Sequence, residues 1–212
     1  MKKLLSKIFF LALFLLCINN YSQTYFGFKV GGNLSNINGD NPLKGIKPSM
    51  HVGVVAEIAI SDSFSIQPEL IYSMLGSQKK VNSSEYEFET EAPHNNEKIL
   101  IKNNNHYITL PIMVKYFLLE IGSDIISIDA GPQVSYLLSS KISNGWEELS
   151  DNKDTLNAFD YGFNLGASYE LDNGMNINIR YNYNFANIYK TNDLNLKANN
   201  TVIQISLGYK FY

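Results

Sequence analysis

From residue 175 to residue 185 every second side chain is apolar: Met175, Ile177, Ile179, Tyr181, Tyr183 and Phe185 alternate with Asn176, Asn178, Arg180, Asn182 and Asn184. A period of two sorts the two sets onto opposite faces of an extended chain, as a β-strand does. Over 158–171 the sorting repeats, with Phe159, Tyr161, Phe163, Leu165, Ala167, Tyr169 and Leu171 opposite Asp160, Gly162, Asn164, Gly166, Ser168 and Glu170. It recurs more weakly over 50–60, and no useful window beyond residue 23 spaces apolar residues at a helical period. The chain is all-β.

Alternation predicts eight strands, at about 25–35, 49–61, 63–77, 105–118, 125–139, 158–171, 175–188 and 200–212. The connections between them alternate in length. Asp62, 119–124 and 172–174 are tight, whereas 36–48, 78–104, 140–157 and 189–199 are long. In an up-and-down meander, successive connections fall on opposite ends, so the short turns gather at one end and the long loops at the other. Asp172-Asn173-Gly174 is a hairpin signal, because Asn and Gly accept the positive φ of the favoured tight turns.

Strands of this length with short turns on one end and long polar loops on the other describe an eight-stranded antiparallel up-and-down transmembrane β-barrel. Hydrocarbon offers no partner to an unpaired backbone group, so the last strand must pair with the first. The apolar face then points to lipid, with Tyr161, Tyr169, Tyr181 and Tyr183 as candidates for the interfacial aromatic girdles. Composition agrees: of 212 residues 13% are aromatic and only 17% charged, below the roughly 25% of soluble domains. Mean hydropathy is uninformative here, since it averages a lipid face, a polar interior and polar loops.

Residues 1–23 read as a secretory signal peptide to be removed, leaving 24–212 as the barrel domain. Lys2, Lys3 and Lys7 precede the apolar run 8–18 and a polar exit. Eleven apolar residues would span about 16 Å of helix, half of a ~30 Å hydrocarbon core. Removal takes away Cys17, the one cysteine, so neither a disulfide nor a cysteine metal site remains. Loss of the three lysines leaves 14 basic residues against 20 acidic, a net charge of −6. Nucleic acid is therefore not an expected partner. Outer-membrane lipid, the barrel-assembly machinery and a surface or periplasmic protein are.

An eight-stranded barrel is just wide enough for side chains to fill it. Gly27, Gly31, Gly53, Gly131, Gly162, Gly166 and Gly208 fall on the predicted inward face, with nine charges: Lys29, Glu57, Glu69, Lys115, Asp129, Asp160, Glu170, Arg180 and Lys210. Four positive against five negative implies ion pairs bridging the lumen, since a lone buried charge is costly. A polar plug is the expected role; a selective pore would favour one sign.

No catalytic, cofactor or metal site is expected. His51, His94 and His106 lack metal-ligand spacing and read as solvated or interfacial, and a rim site would need His94 or His106 to meet Asp151 or Asp154. Residues 27–32 are glycine-rich, but no helix follows to make a phosphate loop. The run 151–154 lacks the turn glycine and distal Glu of a calcium loop. Loop 78–104 carries five glutamates (Glu85, Glu87, Glu89, Glu91, Glu97) against Lys79, Lys80, Lys98 and Lys102, too balanced to name a ligand. Pro68, Pro111 and Pro132 lie inside strands, remove ladder donors, and predict local bulges.

Segments 26–40, 67–77, 107–118, 130–139, 161–171, 179–188 and 207–211, read in order with the three strand prolines, resemble the PorT-like outer-membrane β-barrel family of Gram-negative bacteria, eight-stranded barrels of the OmpA/OmpX kind. The resemblance covers essentially the whole chain beyond residue 23. It implies periplasmic turns, external loops and a closing aromatic at Phe211, and no enzymatic activity. The functional expectation is a non-enzymatic outer-membrane barrel with a filled lumen and four surface loops for envelope or surface interaction. Its rivals are a soluble lipocalin-like binder with apolar residues inside, a membrane-embedded hydrolase or acyltransferase, and a small channel.

Overall fold

A computed structural model describes residues 23–40, 44–82, 98–144, 148–151, 153–190 and 197–211. The predicted signal peptide, apart from Gln23, lies outside the described residues. The strands are β1 (Thr24–Gly39), β2 (Lys47–Ser61), β3 (Phe64–Asn82), β4 (Lys98–Ile121), β5 (Asp124–Ser143), β6 (Glu148–Asp151), β7 (Phe159–Glu170), β8 (Met175–Asn184) and β9 (Ala198–Phe211). All neighbours are antiparallel. Strand β1 pairs with both β2 and β9, from Phe26↔Phe211 to Gly39↔Ala198, and β4 pairs with β5. Eight strands thus close into a ring. The short β6 lies beside the far end of β5, on the side that β7 occupies lower down.

Closure puts the alternating faces where hydrocarbon demands them. Ile177, Ile179 and Tyr181 are about half exposed on the outside, which removes the lipocalin-like alternative with its inward apolar face. Aromatic rings collect near both ends of the apolar band. Phe28 lies 6.2 Å from Tyr209 and 6.0 Å from Phe211, and Phe64 4.8 Å from Tyr116, towards the turn end. Tyr136 lies 5.1 Å from Phe159, and Tyr183 5.4 Å from Phe185, towards the loop end. Ten residues separate outward-facing Phe159 from Tyr169 on β7. That is about 33 Å of strand, or about 25 Å along the membrane normal at a ~40° tilt, matching the height of an outer-membrane apolar band.

Asp172-Asn173-Gly174 makes the predicted turn. Gly174 has φ of 85°, a conformation glycine takes without penalty, and Asn173 Oδ1 accepts from the Met175 N–H at 3.0 Å. The long connections differ from expectation in one place. Strands β3 and β4 stay paired from Gln78↔Lys102 out to Asn82↔Lys98, so 78–82 with 98–104 is an extension of the strands rather than loop. Alternation fails to mark it because Leu75, Gly76 and Ser77 are buried in succession, with Gly76 at φ 135°.

Nor do the prolines bulge. Register shifts occur at Ala59/Ser61, His106/Tyr107, Phe117/Leu119 and Ile142/Ser143, and none coincides with a proline. Pro68 keeps its partner Ile112 on β4, Pro111 keeps Gln133 on β5, and Pro132 keeps Phe163 on β7. Each aims its missing N–H at the preceding strand, where the pairing skips two residues and resumes in the same register. The ladder is interrupted at each proline without an extra residue.

Candidate functional site

All nine predicted inward charges are buried in the lumen. Nearest the short turns, Glu57, Lys115, Glu170 and Lys210 close a ring. Lys115 Nζ reaches Glu57 Oε2 at 3.1 Å and Glu170 Oε2 at 3.0 Å, while Lys210 Nζ reaches Glu57 Oε2 at 3.0 Å and pairs with Glu170. A second network lies deeper. Arg180 donates Nη1 to Glu69 Oε2 and Nη2 to Glu69 Oε1, both at 3.0 Å, and Nη2 also meets Asp129 Oδ2 at 2.6 Å. Lys29 Nζ adds a contact to Glu69 Oε2 at 3.2 Å. Each network holds two cations and two anions, so each is neutral.

Asp160 is the odd charge. It makes no ion pair among the described residues; its Oδ2 instead accepts from Asn184 Nδ2 at 2.5 Å and Asn200 Nδ2 at 3.0 Å. Space for the charges comes from glycine: a Cβ on Gly166 would lie 2.6 Å from Asp129 Oδ1.

Above the ion pairs runs a neutral polar layer. Asn33 donates Nδ2 to the carbonyls of Met50 (3.1 Å) and Met74 (3.0 Å), which orients its Oδ1 as an acceptor. His51 Nδ1 lies 2.7 Å from that oxygen and therefore donates, leaving Nε2 to accept from Ser206 Oγ at 2.8 Å. The expectation of a solvated or interfacial His51 is thus corrected: it is 1% exposed, because β2 starts four residues earlier and odd positions face inward. Asn164, Gln133, Asn182 and Asn184 extend the layer through linked amides.

The loop end is closed by apolar side chains. Leu75, Tyr107, Leu137, Leu156 and Val202 pack together with Tyr189 against them, and Ile37, Ile188 and Ala198 pack beside them. Leu156, Ile188 and Tyr189 come from segments 153–158 and 185–190 rather than the barrel strands, so these segments fold inward as a cap. Two cavities between the lumen layers are water-sized, about 20 Å³ beside Lys29 and about 10 Å³ beside Gln204.

The candidate rim residues do not converge. His106 faces outward, its Nδ1 2.6 Å from the Tyr72 hydroxyl, while Asp151 accepts from the Lys153 N–H. Asp154 offers its carbonyl to Lys190 Nζ at 2.7 Å, and His94 lies outside the described residues. Among the described residues no three His, Cys, Asp or Glu side chains gather as a metal site. Sequence reasoning missed the amide layer, the apolar cap and buried Lys47, whose Nζ donates to the Leu75 carbonyl at 3.0 Å. Parity along the strands could have found the amides.

A family model described as the outer membrane protein beta-barrel domain matches residues 8–211. The chain belongs to that family. Its place is accordingly the outer membrane. Among solved structures, this family barrel is similar to Neisserial surface protein A, with 12% identity over 88% of this chain and 97% of that one and a TM-score of 0.48. Ail of Yersinia pestis gives 12% identity, 89% and 99% coverage and a TM-score of 0.43. Outer membrane protein W of E. coli gives 12%, 91% and 100%, and 0.43. Comparison with curated proteins gives no match.

Proposed function

We propose that this family barrel is a non-enzymatic envelope protein that displays its long loops at the cell surface for interaction, PorT-like within its family and exported by the signal peptide at 1–23. The observation that carries the reading is the filled lumen. Eight of the nine predicted inward charges close into two neutral networks beneath an apolar cap, so they serve packing rather than transport or catalysis. Chain length, by contrast, is concentrated at one end. Short turns in the periplasm and loops outside follow the usual orientation of such barrels. Outer-membrane lipid, the barrel-assembly machinery and a surface or periplasmic protein are the partners this role requires.

The test has two arms. Purified barrel in planar bilayers should give no steady conductance, and deletion of 83–97 should change which proteins bind the cell surface while heat-modifiable migration persists. Stable ion conductance would favour the channel reading. Recovery of the protein in soluble periplasmic extracts would sink the membrane role.

A further inference from the structure

The lumen opens at the short-turn end into a vestibule of about 520 Å³. Tyr25, Phe117 and Ile125 form its walls, Glu57 and Glu170 its floor and Asp62 its rim. Lys210 also lines it, with its charge held between the two floor glutamates. The volume suits a side chain or two of a bound segment, being far larger than an ion needs.

Charge says which segment. The three turns around the mouth carry Asp62, Glu120, Asp124 and Asp172, and no Lys, Arg or His occurs in 61–63, 119–124 or 171–174. Asp62, Glu120 and Asp172 are exposed. The lysines nearest the mouth, Lys115 and Lys210, are balanced by Glu57 and Glu170, so the turn acids stand as a single-sign field over the vestibule. Two of the turns are held in place relative to each other. Asp124 accepts from the Tyr169 hydroxyl at 2.5 Å and from the Asp172 N–H at 3.2 Å, linking the β4–β5 turn to the β7–β8 turn. Lys115 Nζ and Lys210 Nζ already lie over the Phe117 and Tyr25 rings, 5.5 Å and 5.9 Å from their centroids, so it is the exposed turn acids that favour a further ammonium or guanidinium on an aliphatic stem.

We propose that this vestibule docks a basic, extended segment of a periplasmic protein, placing its Lys or Arg at the acidic rim. The location rests on the periplasmic placement of the short turns argued above; the binding chemistry does not.

The full chain, folded in detergent micelles, is titrated against a fluorescein-labelled Gly-Lys-Leu-Arg-Lys-Gly peptide and its Glu-substituted counterpart. Saturable binding of the basic peptide alone is expected, weakening as salt rises. The triple variant Asp62→Asn, Glu120→Gln, Asp172→Asn should weaken it about tenfold. Ala59→Trp, which places an indole in the vestibule without altering charge, should weaken it about tenfold in protein that still shows heat-modifiable migration. Equal binding of both peptides, no binding of the basic one, or unchanged affinity in folded Ala59→Trp would overturn the proposal. Separately, Ser63→Cys should resist an impermeant maleimide on intact cells and react once the outer membrane is permeabilised. Labelling of intact cells would overturn the periplasmic partner and the orientation together, while leaving the peptide titration to judge the chemistry.

Discussion

Arg180 on β8 reaches across the lumen to Glu69 on β3, 111 residues earlier in the chain, through two parallel N–H···O bonds of 3.0 Å. The fork satisfies both carboxylate oxygens at once, which a lysine cannot do. Both side chains are fully enclosed, so removing one partner strands a charge rather than exposing it to water. Arg180→Met should destabilise the barrel by about 3–5 kcal/mol, and Arg180→Lys by about 1–2 kcal/mol. Denaturant titration followed by heat-modifiable migration reads both, and equal losses would show that the bidentate geometry contributes nothing.

Asp160 should behave in the opposite way. Its carboxylate has two amide donors on Oδ2, no hydrogen-bond partner on Oδ1 and no ion pair among the described residues. Asp160→Asn keeps the size and an acceptor for Asn184 and Asn200 while removing a buried charge that has no ion pair among the described residues. A gain of about 1–3 kcal/mol is expected. A loss of stability in the same denaturant titration would mean that the charge is compensated in the folded barrel.

The contrast shows what the sequence could reveal about the lumen. Strand parity placed all nine charges inside, because one face of each strand must avoid lipid and the lumen is the alternative. Which charges meet was not legible. Glu69 faces Arg180 rather than a neighbour on β2 or β4 because register and strand tilt set height in the lumen, and alternation encodes neither. His51 was misread for the same reason, since its depth depends on where β2 begins. The apolar cap was hidden differently: Leu156 and Tyr189 lie in polar connections and Ile188 at the expected end of a strand, and nothing periodic marks that they fold inward.

Gly166 tests how tightly the charged layer is packed. A Cβ there would stand 2.6 Å from Asp129 Oδ1 and 2.8 Å from the Ile179 carbonyl oxygen, so even alanine must move the carboxylate that holds Arg180. Gly166→Ala should cost about 1–3 kcal/mol. The neighbouring Ala167→Val, on the lipid face, should stay within about 0.5 kcal/mol. Similar unfolding midpoints for the two variants would show that the lumen yields more readily than these distances require.

Arg180 and Ile179 are adjacent in sequence, yet one is fully buried among carboxylates and the other is about half exposed on the outer surface, near the middle of β8. The pleat alone decides which of them a membrane sees. Adding a charge one position away, as Ile179→Arg in an otherwise intact chain, therefore keeps strand, depth and the lumen pairing of Arg180 while placing a second guanidinium near the bilayer midplane. The expected cost is about 2–4 kcal/mol in phospholipid vesicles. The measurement is reversible folding into vesicles, read by the heat-modifiable fraction against denaturant, with the same variant in detergent micelles as control. A loss seen in vesicles and much reduced in micelles assigns the cost to hydrocarbon, because the micelle lets the guanidinium reach water. Equal losses in both would place Ile179 in a protein contact instead, and would contradict the outward face on which the barrel reading depends.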